Sequence, residues 1–255
     1  VSFSNTYTVG FAGVVCVLCS LAVASAAIGL RDLQQQNVDR DLKNNILQAL
    51  SVVQPGEPIE GERIDQLWDE RVRIAVIDAT GAAVEAPGPT SDKDQDGDVD
   101  LDDVALARVE VKGTERQPEL LAVYQRIDDG NITAHGIPVY GKGLWGPLSG
   151  YLAVDATGTE ITGATFFAPK ETPGLGAEIT MPKFKAQWIG KKLVRDGKSE
   201  PVRVAKGKAT DAHADELDYW VDGVSGSTIT CRGVTAMVEQ GVAYYDPYLS
   251  SLRNQ

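Results

Sequence analysis

Histidine and cysteine are nearly missing from this 255-residue chain, which has two histidines, His135 and His213, and three cysteines, Cys16, Cys19 and Cys231. Three cysteines cannot frame a disulfide-stapled domain. Two histidines leave no His/Cys zinc set, and a hydrolytic triad would hang on one of them. Neither sits in a catalytic motif. Clusters of Lys and Arg are missing too, and the net charge is -12. Without a basic footprint to neutralise phosphates, nucleic acid is a poor partner. No internal repeat and no long Pro/Ser linker interrupts the chain. What remains is ordinary for a folded protein: 43% hydrophobic and 24% charged residues, on a length that buries one sizeable core.

Charge is absent from the first thirty positions as well, and residues 7–30 read YTVGFAGVVCVLCSLAVASAAIGL. As a helix this run reaches about 36 Å at 1.5 Å per residue, against a hydrocarbon core of roughly 30 Å. The expectation is a retained anchor over residues 1–30. The rival is a cleaved leader with Ala24-Ser25-Ala26 as its small-residue site, although the run is long and carries no basic start. Cys16 and Cys19 share a helix face and read as small apolar packing residues rather than ligands.

Residues 31–255 carry the soluble part. Leu33, Val38, Leu42, Ile46, Leu47 and Leu50 fall mostly at helical steps with polar residues between them, which predicts an amphipathic helix stopped by Pro55-Gly56. A short helix follows over residues 64–68. Strands are expected at residues 71–78, 119–127, 131–140, 149–155 and 161–168, and a last helix at residues 233–245. The strands are divided by Gly, Asp and Asn turns rather than by crossover helices. This pattern predicts an α+β fold with an antiparallel sheet and flanking helices.

Three glycine-rich segments compete for a functional reading. Gly141-Lys142-Gly143-Leu144-Trp145-Gly146 matches GxGxxG, but Pro147 and a strand-like run follow it where a dinucleotide site needs a helix. It is a decoy. Glu171-Thr172-Pro173-Gly174-Leu175-Gly176 is a rigid turn that lets backbone approach a planar ligand, or is simply a turn. In Asp222-Gly223-Val224-Ser225-Gly226-Ser227-Thr228-Ile229-Thr230, four hydroxyls and two glycines precede a helix. Amides at a helix start favour an anion such as phosphate, with an ordinary capping turn as the plain alternative.

Taken together these segments resemble the C subunit of the bacterial sodium-translocating NADH:quinone reductase, a membrane-anchored flavoprotein. The likeness runs through AAIGLRDLQ, IPVYGKGLWGPLSGYLAV, ITGATFFAPKETPGLGAEITMPKFKAQWIGKKL and DGVSGSTIT, in the family's order. It implies a single transmembrane helix followed by one FMN-binding domain in the inner membrane, with the soluble domain in the periplasm. It further implies FMN joined through its phosphate to Thr228 by a separate flavin transferase. Thr230 is the near neighbour, and Ser227 stands where the family has Ala. Ser225 and Gly226 complete the phosphate motif. Leu144, Trp145, Glu171, Thr172, Gly174, Leu175 and Gly176 are candidates to wall the flavin ring, with core packing as an equal reading for Trp145. No side chain here needs to act as acid or base, because the cofactor supplies the redox chemistry. Implied partners are the other subunits of the reductase and membrane lipid. The flavin subunit of the Rnf electron-transport complex has a similar turn and motif, and is the alternative within the fold; GKGLW and QWIGKKL favour the sodium-pump protein. The topology comes from the resemblance alone: Arg31, Arg40 and Lys43 flank the apolar run on its C-terminal side, so the charge rule does not support it.

One stretch departs from that family. Residues 92–103 hold seven Asp and one Lys. An EF-hand loop sets oxygen ligands at positions 1, 3, 5, 7, 9 and 12 with Gly at 6. Asp92, Asp94, Asp96, Asp98, Asp100 and Asp103 take those positions, with Gly97 at the sixth. Pro87 and Pro89 deny the loop an entering helix, and Asp103 replaces the usual bidentate Glu. A structural Ca2+ site is the expectation and a solvated acidic insertion the alternative. A membrane-tethered calcium-binding module is accordingly the alternative function from another class.

Overall fold

The computed structural model describes residues 4–54, 56–84 and 120–254. The acidic stretch at 92–103, with its expected calcium ligands, lies outside the described residues. The chain divides into two units, residues 1–42 and residues 43–255. Helix α1 (Asn5–Ala49) begins in the first. Its segment Asn5–Arg31 is long and apolar enough to cross a membrane, and none of its most apolar window is buried. The amphipathic stretch expected after Arg31 continues α1 without a break, because no Pro or Gly stands between Gly29 and Leu50.

Helix α1 ends at Ala49, ahead of the Pro55-Gly56 pair expected to stop it. Ser51 adopts φ 56°, its N–H donates to the Gln48 carbonyl at 3.1 Å, and the Val52 N–H donates to the Leu47 carbonyl at 2.9 Å. This is a Schellman cap with serine in the left-handed position. Helix α2 (Gly61–Arg71) follows, and runs straight into the sheet.

Six strands form one antiparallel sheet: β1 (Val72–Asp78), β2 (Ala83–Val84), β3 (Leu120–Asp128), β4 (Asn131–Lys142), β5 (Pro147–Asp155) and β6 (Ile161–Phe167). Their spatial order is β2-β1-β3-β4-β5-β6. The β3–β4 connection is the two-residue turn Asp129-Gly130, both left-handed with φ 49° and 80°, as the Asp-Gly pair favours. Helix α3 (Thr228–Arg253) closes the chain.

Alternation along the strands gives the sheet two buried faces. Leu50 lies against Gly136, Thr165 donates to the Asn45 carbonyl, and Trp68, Tyr124 and Tyr151 meet edge to face. That face belongs to the end of α1 and to α2. Helix α3 covers the other face, where Gly141 touches Met237 and Gly241 touches Val139. The core there gathers Ile137, Val139, Leu148, Leu152, Phe166 and Trp188 around Val234, Val238 and Val242. Gly233 brings α3 closest: a Cβ built there would overlap the Lys142 carbonyl oxygen. The start of α3 is therefore pressed onto the end of β4.

Helix α3 begins earlier and ends later than the sequence suggests. Its buried stripe runs Thr230, Cys231, Val234, Met237, Val238, Gly241, Val242, Tyr245, Tyr248, Leu249, so the helical period already includes the hydroxyl-rich motif and continues past Pro247. The motif runs into the helix's first turn.

Candidate functional site

Three segments far apart in the sequence meet at the start of α3, and a buried carboxylate joins them. Glu171 is 6% exposed. Its Oε1 accepts the Trp145 N–H at 2.8 Å, and its Oε2 accepts the Thr230 hydroxyl at 2.6 Å. Two glycines make room for it. A Cβ on Gly143 would come within 2.5 Å of Oε1, and one on Gly176 would overlap Oε2 and press on the Thr230 hydroxyl. The loop 143–146, the turn 171–176 and the turn 225–230 are thereby fixed to one another.

Each segment has a local cause. Residues 143–146 make the β4–β5 hairpin turn, in which the Gly143 N–H donates to the Gly146 carbonyl at 2.8 Å. No helix follows, so the GxGxxG match is a hairpin, as Pro147 implies. In the second segment the Thr172 carbonyl accepts the Leu175 and Ala177 amides, and Gly174 takes φ 75°. Thr172, Gly174 and Leu175 are exposed, while Gly176 is buried. The third segment is tied at its entry by Asp222, whose N–H donates to Gln187 Oε1 and whose Oδ1 accepts the Ala209 N–H, both at 2.8 Å. Gly226 then turns the chain with φ 77°, beside the Leu175 side chain.

The hydroxyls of this turn are not equivalent. Thr230 is 1% exposed and committed to Glu171. Ser225 is exposed. Thr228, the first residue of α3, is half-buried and its hydroxyl has no hydrogen-bond partner among the described residues. Ser227, the N-cap, is 6% exposed with an unpartnered Oγ. The first intrahelical bond is Cys231 N–H to the Ser227 carbonyl at 2.9 Å, which leaves the amides of residues 228–230 without intrahelical acceptors. These amides, the helix dipole and the free hydroxyls suit a phosphate. Cys231 points back into the turn, where its sulfur accepts the Val224 N–H at 3.3 Å. Burial pushes its thiol above the ordinary range despite that bond, which leaves it unreactive.

Apolar side chains stand exposed on the same three segments: Trp145 at 65%, Ile229 at 55%, Leu144 at 45% and Leu175 at 41%. Large side chains of this kind suit a flat aromatic ring. The residues singled out from sequence thus meet, but in two roles. Glu171, Gly176 and Thr230 hold the segments together, Leu144, Trp145, Thr172, Leu175, Ser225 and Thr228 are exposed or half-buried and available to a ligand, and Ser227 keeps its hydroxyl buried in the same turn. Ile229, Gly143 and Asp222 also belong to the site, beyond the candidates that the sequence singles out. The signal for Ile229 is its place in the helical period, on the side opposite Thr230's buried stripe. Among the described residues no group of three or more His, Cys, Asp or Glu could hold a metal ion.

A phosphate-suited helix start beside exposed apolar side chains, on an antiparallel sheet, marks a domain built for a phosphorylated ligand with a flat ring. Residues 143–243 match the family profile of the FMN-binding domain. Over 247 residues the chain is 33% identical to the C subunit of the Na(+)-translocating NADH-quinone reductase of Yersinia pestis, covering 94% of this chain and 90% of that protein. It is 32% identical over 255 residues to the same subunit of Pseudomonas aeruginosa, covering 98% and 97%. The crystal structure of its counterpart from Parabacteroides distasonis superposes with a TM-score of 0.68 at 30% identity, covering 86% of this chain and 96% of that one. The chain belongs to the family of the C subunit of the Na(+)-translocating NADH-quinone reductase.

Proposed function

We propose that this chain is the electron-transfer subunit that carries FMN, joined by a phosphoester to Thr228, in a sodium-translocating NADH:quinone reductase. The observation that carries the reading is the division between the two threonines. Thr230 has its hydroxyl buried and occupied by Glu171, whereas Thr228 offers an unpartnered, half-buried hydroxyl at the helix start. In the attachment, the Thr228 oxygen forms a bond to the flavin-side phosphorus of FAD. The pyrophosphate bond breaks, AMP leaves, and the hydroxyl proton passes to a base of the flavin transferase.

When bound, FMN supplies the electron-accepting and electron-donating chemistry. The chain's own part is to bind and orient it. The helix-start amides and hydroxyls hold the phosphate, and Leu144, Trp145, Leu175 and Ile229 shield the ring from water. The apolar helix anchors the chain in the lipid of a bacterial inner membrane, the soluble domain faces the periplasm, and turnover needs the reductase's other subunits. The stretch 92–103 would add a structural Ca2+ site that takes no part in electron transfer.

The intact mass of the full chain, expressed with and without a flavin transferase, tests cofactor and linkage together. A gain equal to FMN less one water only with the transferase is expected, abolished in Thr228→Ala. An unmodified mass in both preparations overturns the reading.

A further inference from the structure

The structure assigns to Ser227 a role of its own: its hydroxyl is a non-covalent ligand that donates to a non-bridging oxygen of the phosphate carried on Thr228. This rests on FMN attachment at Thr228. Two observations that do not depend on that attachment point to it.

The first is that Ser227 is an N-cap that does not cap. A serine in this place ordinarily takes an extended backbone and uses its side-chain oxygen to accept an amide of the first turn. Here the backbone is at φ -118°, ψ 37°, and the side chain makes no capping bond. The backbone groups are nonetheless satisfied, since the N–H donates to the Val224 carbonyl at 3.1 Å and the carbonyl accepts the Cys231 N–H at 2.9 Å. Only the hydroxyl has been left over.

The second is where it has been left. Ser227 is 6% exposed, and its Oγ is buried with no partner. A buried hydroxyl that neither caps the helix nor meets a carbonyl costs stability, and such groups normally find partners. The other buried side-chain atoms without partners among the described residues belong to Asn44, Tyr124, Thr162 and Trp188, none of them in the turn 225–230. Among these, only Ser227 stands next in the chain to the three free amides and the free Thr228 hydroxyl. An anion at this helix start would give that hydroxyl an acceptor, and a donor next to the attachment point completes the set that a tetrahedral phosphate can use. Ser227 and Thr228 then divide the work, one steadying the phosphate and the other bonding it covalently.

The test is the sign of one substitution in two forms of the full chain. Ser227→Ala is expressed with and without the flavin transferase, and loading is read by intact mass. In the unloaded chain the substitution removes an unpaired hydroxyl, so its melting temperature is expected to stay level or rise. In the loaded chain it removes a donor to a charged phosphate and should lower the melting temperature by about 3–12 °C. The phosphorus resonance of the phosphoester should also move. Equal shifts in both forms would overturn the proposal, because the hydroxyl would then serve the fold or hold water. Loss of loading in folded Ser227→Ala would overturn it too, making Ser227 the acceptor. If the unsubstituted chain itself never gains mass, the attachment reading fails instead, a result distinguishable from either.

Discussion

Exchanging the two threonines of the α3 start for valine, one at a time, separates the residue that holds the site together from the one that carries the cofactor. Valine keeps the β-branched shape and removes only the hydroxyl. In Thr230→Val the Glu171 Oε2 loses its 2.6 Å hydrogen bond, in surroundings where both residues are almost fully buried. A bond to a carboxylate contributes about 1.5–3 kcal/mol, and a buried acceptor left unpaired raises the loss, so about 3 kcal/mol is expected. For a domain of about 200 residues each kcal/mol moves the melting temperature by about 2–4 °C, which gives a fall of about 6–12 °C. Flavin attached at Thr228 should nevertheless survive at permissive temperature. Thr228→Val should behave in the opposite way. Its hydroxyl has no partner to lose, so the melting temperature should change by no more than about 2 °C, while in-gel flavin fluorescence disappears. Differential scanning calorimetry and fluorescence of denaturing gels read both variants. If Thr230→Val abolishes fluorescence and Thr228→Val keeps it, the assignment of roles is reversed. If Thr230→Val melts with the unsubstituted chain, Glu171 does not pin the three segments.

Three further outcomes follow from other parts of the molecule. His135 is buried and shares a hydrogen bond of 2.9 Å with the Tyr248 hydroxyl. Burial holds its imidazole below the ordinary 6.5, against the opposing pull of Ala156 and Asp155. The unfolded chain therefore takes up the proton first, and the stability due to this group is full above pH 6.5 and lost as the pH falls through 6.5 towards the folded value. Urea midpoints should drop between about pH 7.5 and 5.5 and drop less in His135→Gln; identical drops would refute this. Gly233→Ala gains about 1 kcal/mol of helix propensity, but its Cβ overlaps the Lys142 carbonyl. With overpacking at about 1–3 kcal/mol, net destabilisation and poorer flavin loading are expected, and a higher melting temperature would refute the close contact. Calorimetric titration of the full chain should show one calcium site, lost in Asp92→Ala/Asp96→Ala; no heat at millimolar calcium would leave the acidic stretch a solvated insertion.

Much of this architecture is legible in the sequence because strands and turns announce themselves locally. Apolar alternation in β1 and the Asp-Gly pair between β3 and β4 are contained in a few consecutive residues. Pro147 likewise suffices to demote GxGxxG. Helix α3 reads short because Ser, Gly and Thr resist a helical reading, although Thr230, Cys231 and Val234 already keep its period. The cap of α1 escapes a sequence reading for a related reason: Ser51 sits where glycine is the usual signal. The hardest feature to read is Glu171. Its partners Trp145 and Thr230 lie 26 and 59 residues away, and nothing in ETPGLG tells a carboxylate that faces a ligand from one that faces two glycines. The resemblance to a flavoprotein family supplies the site's membership; the division of labour within it comes only from burial and hydrogen bonds.

The contact between α3 and β4 also sets an order of assembly. Strands β3 to β6 pair with their sequence neighbours through short turns, so each hairpin closes a small loop. Helix α3 must instead find β4 across the whole intervening chain, with Met237 meeting Gly141. Small loops close more readily than large ones, which makes the meander early and α3 late. Thr228 is at the leading end of that late element. On the proposed attachment, the acceptor hydroxyl takes its final setting only after the helix has docked and Glu171 has found Thr230. A transferase that recognises this setting would pass over unfinished chains, and bound flavin would certify completed folding.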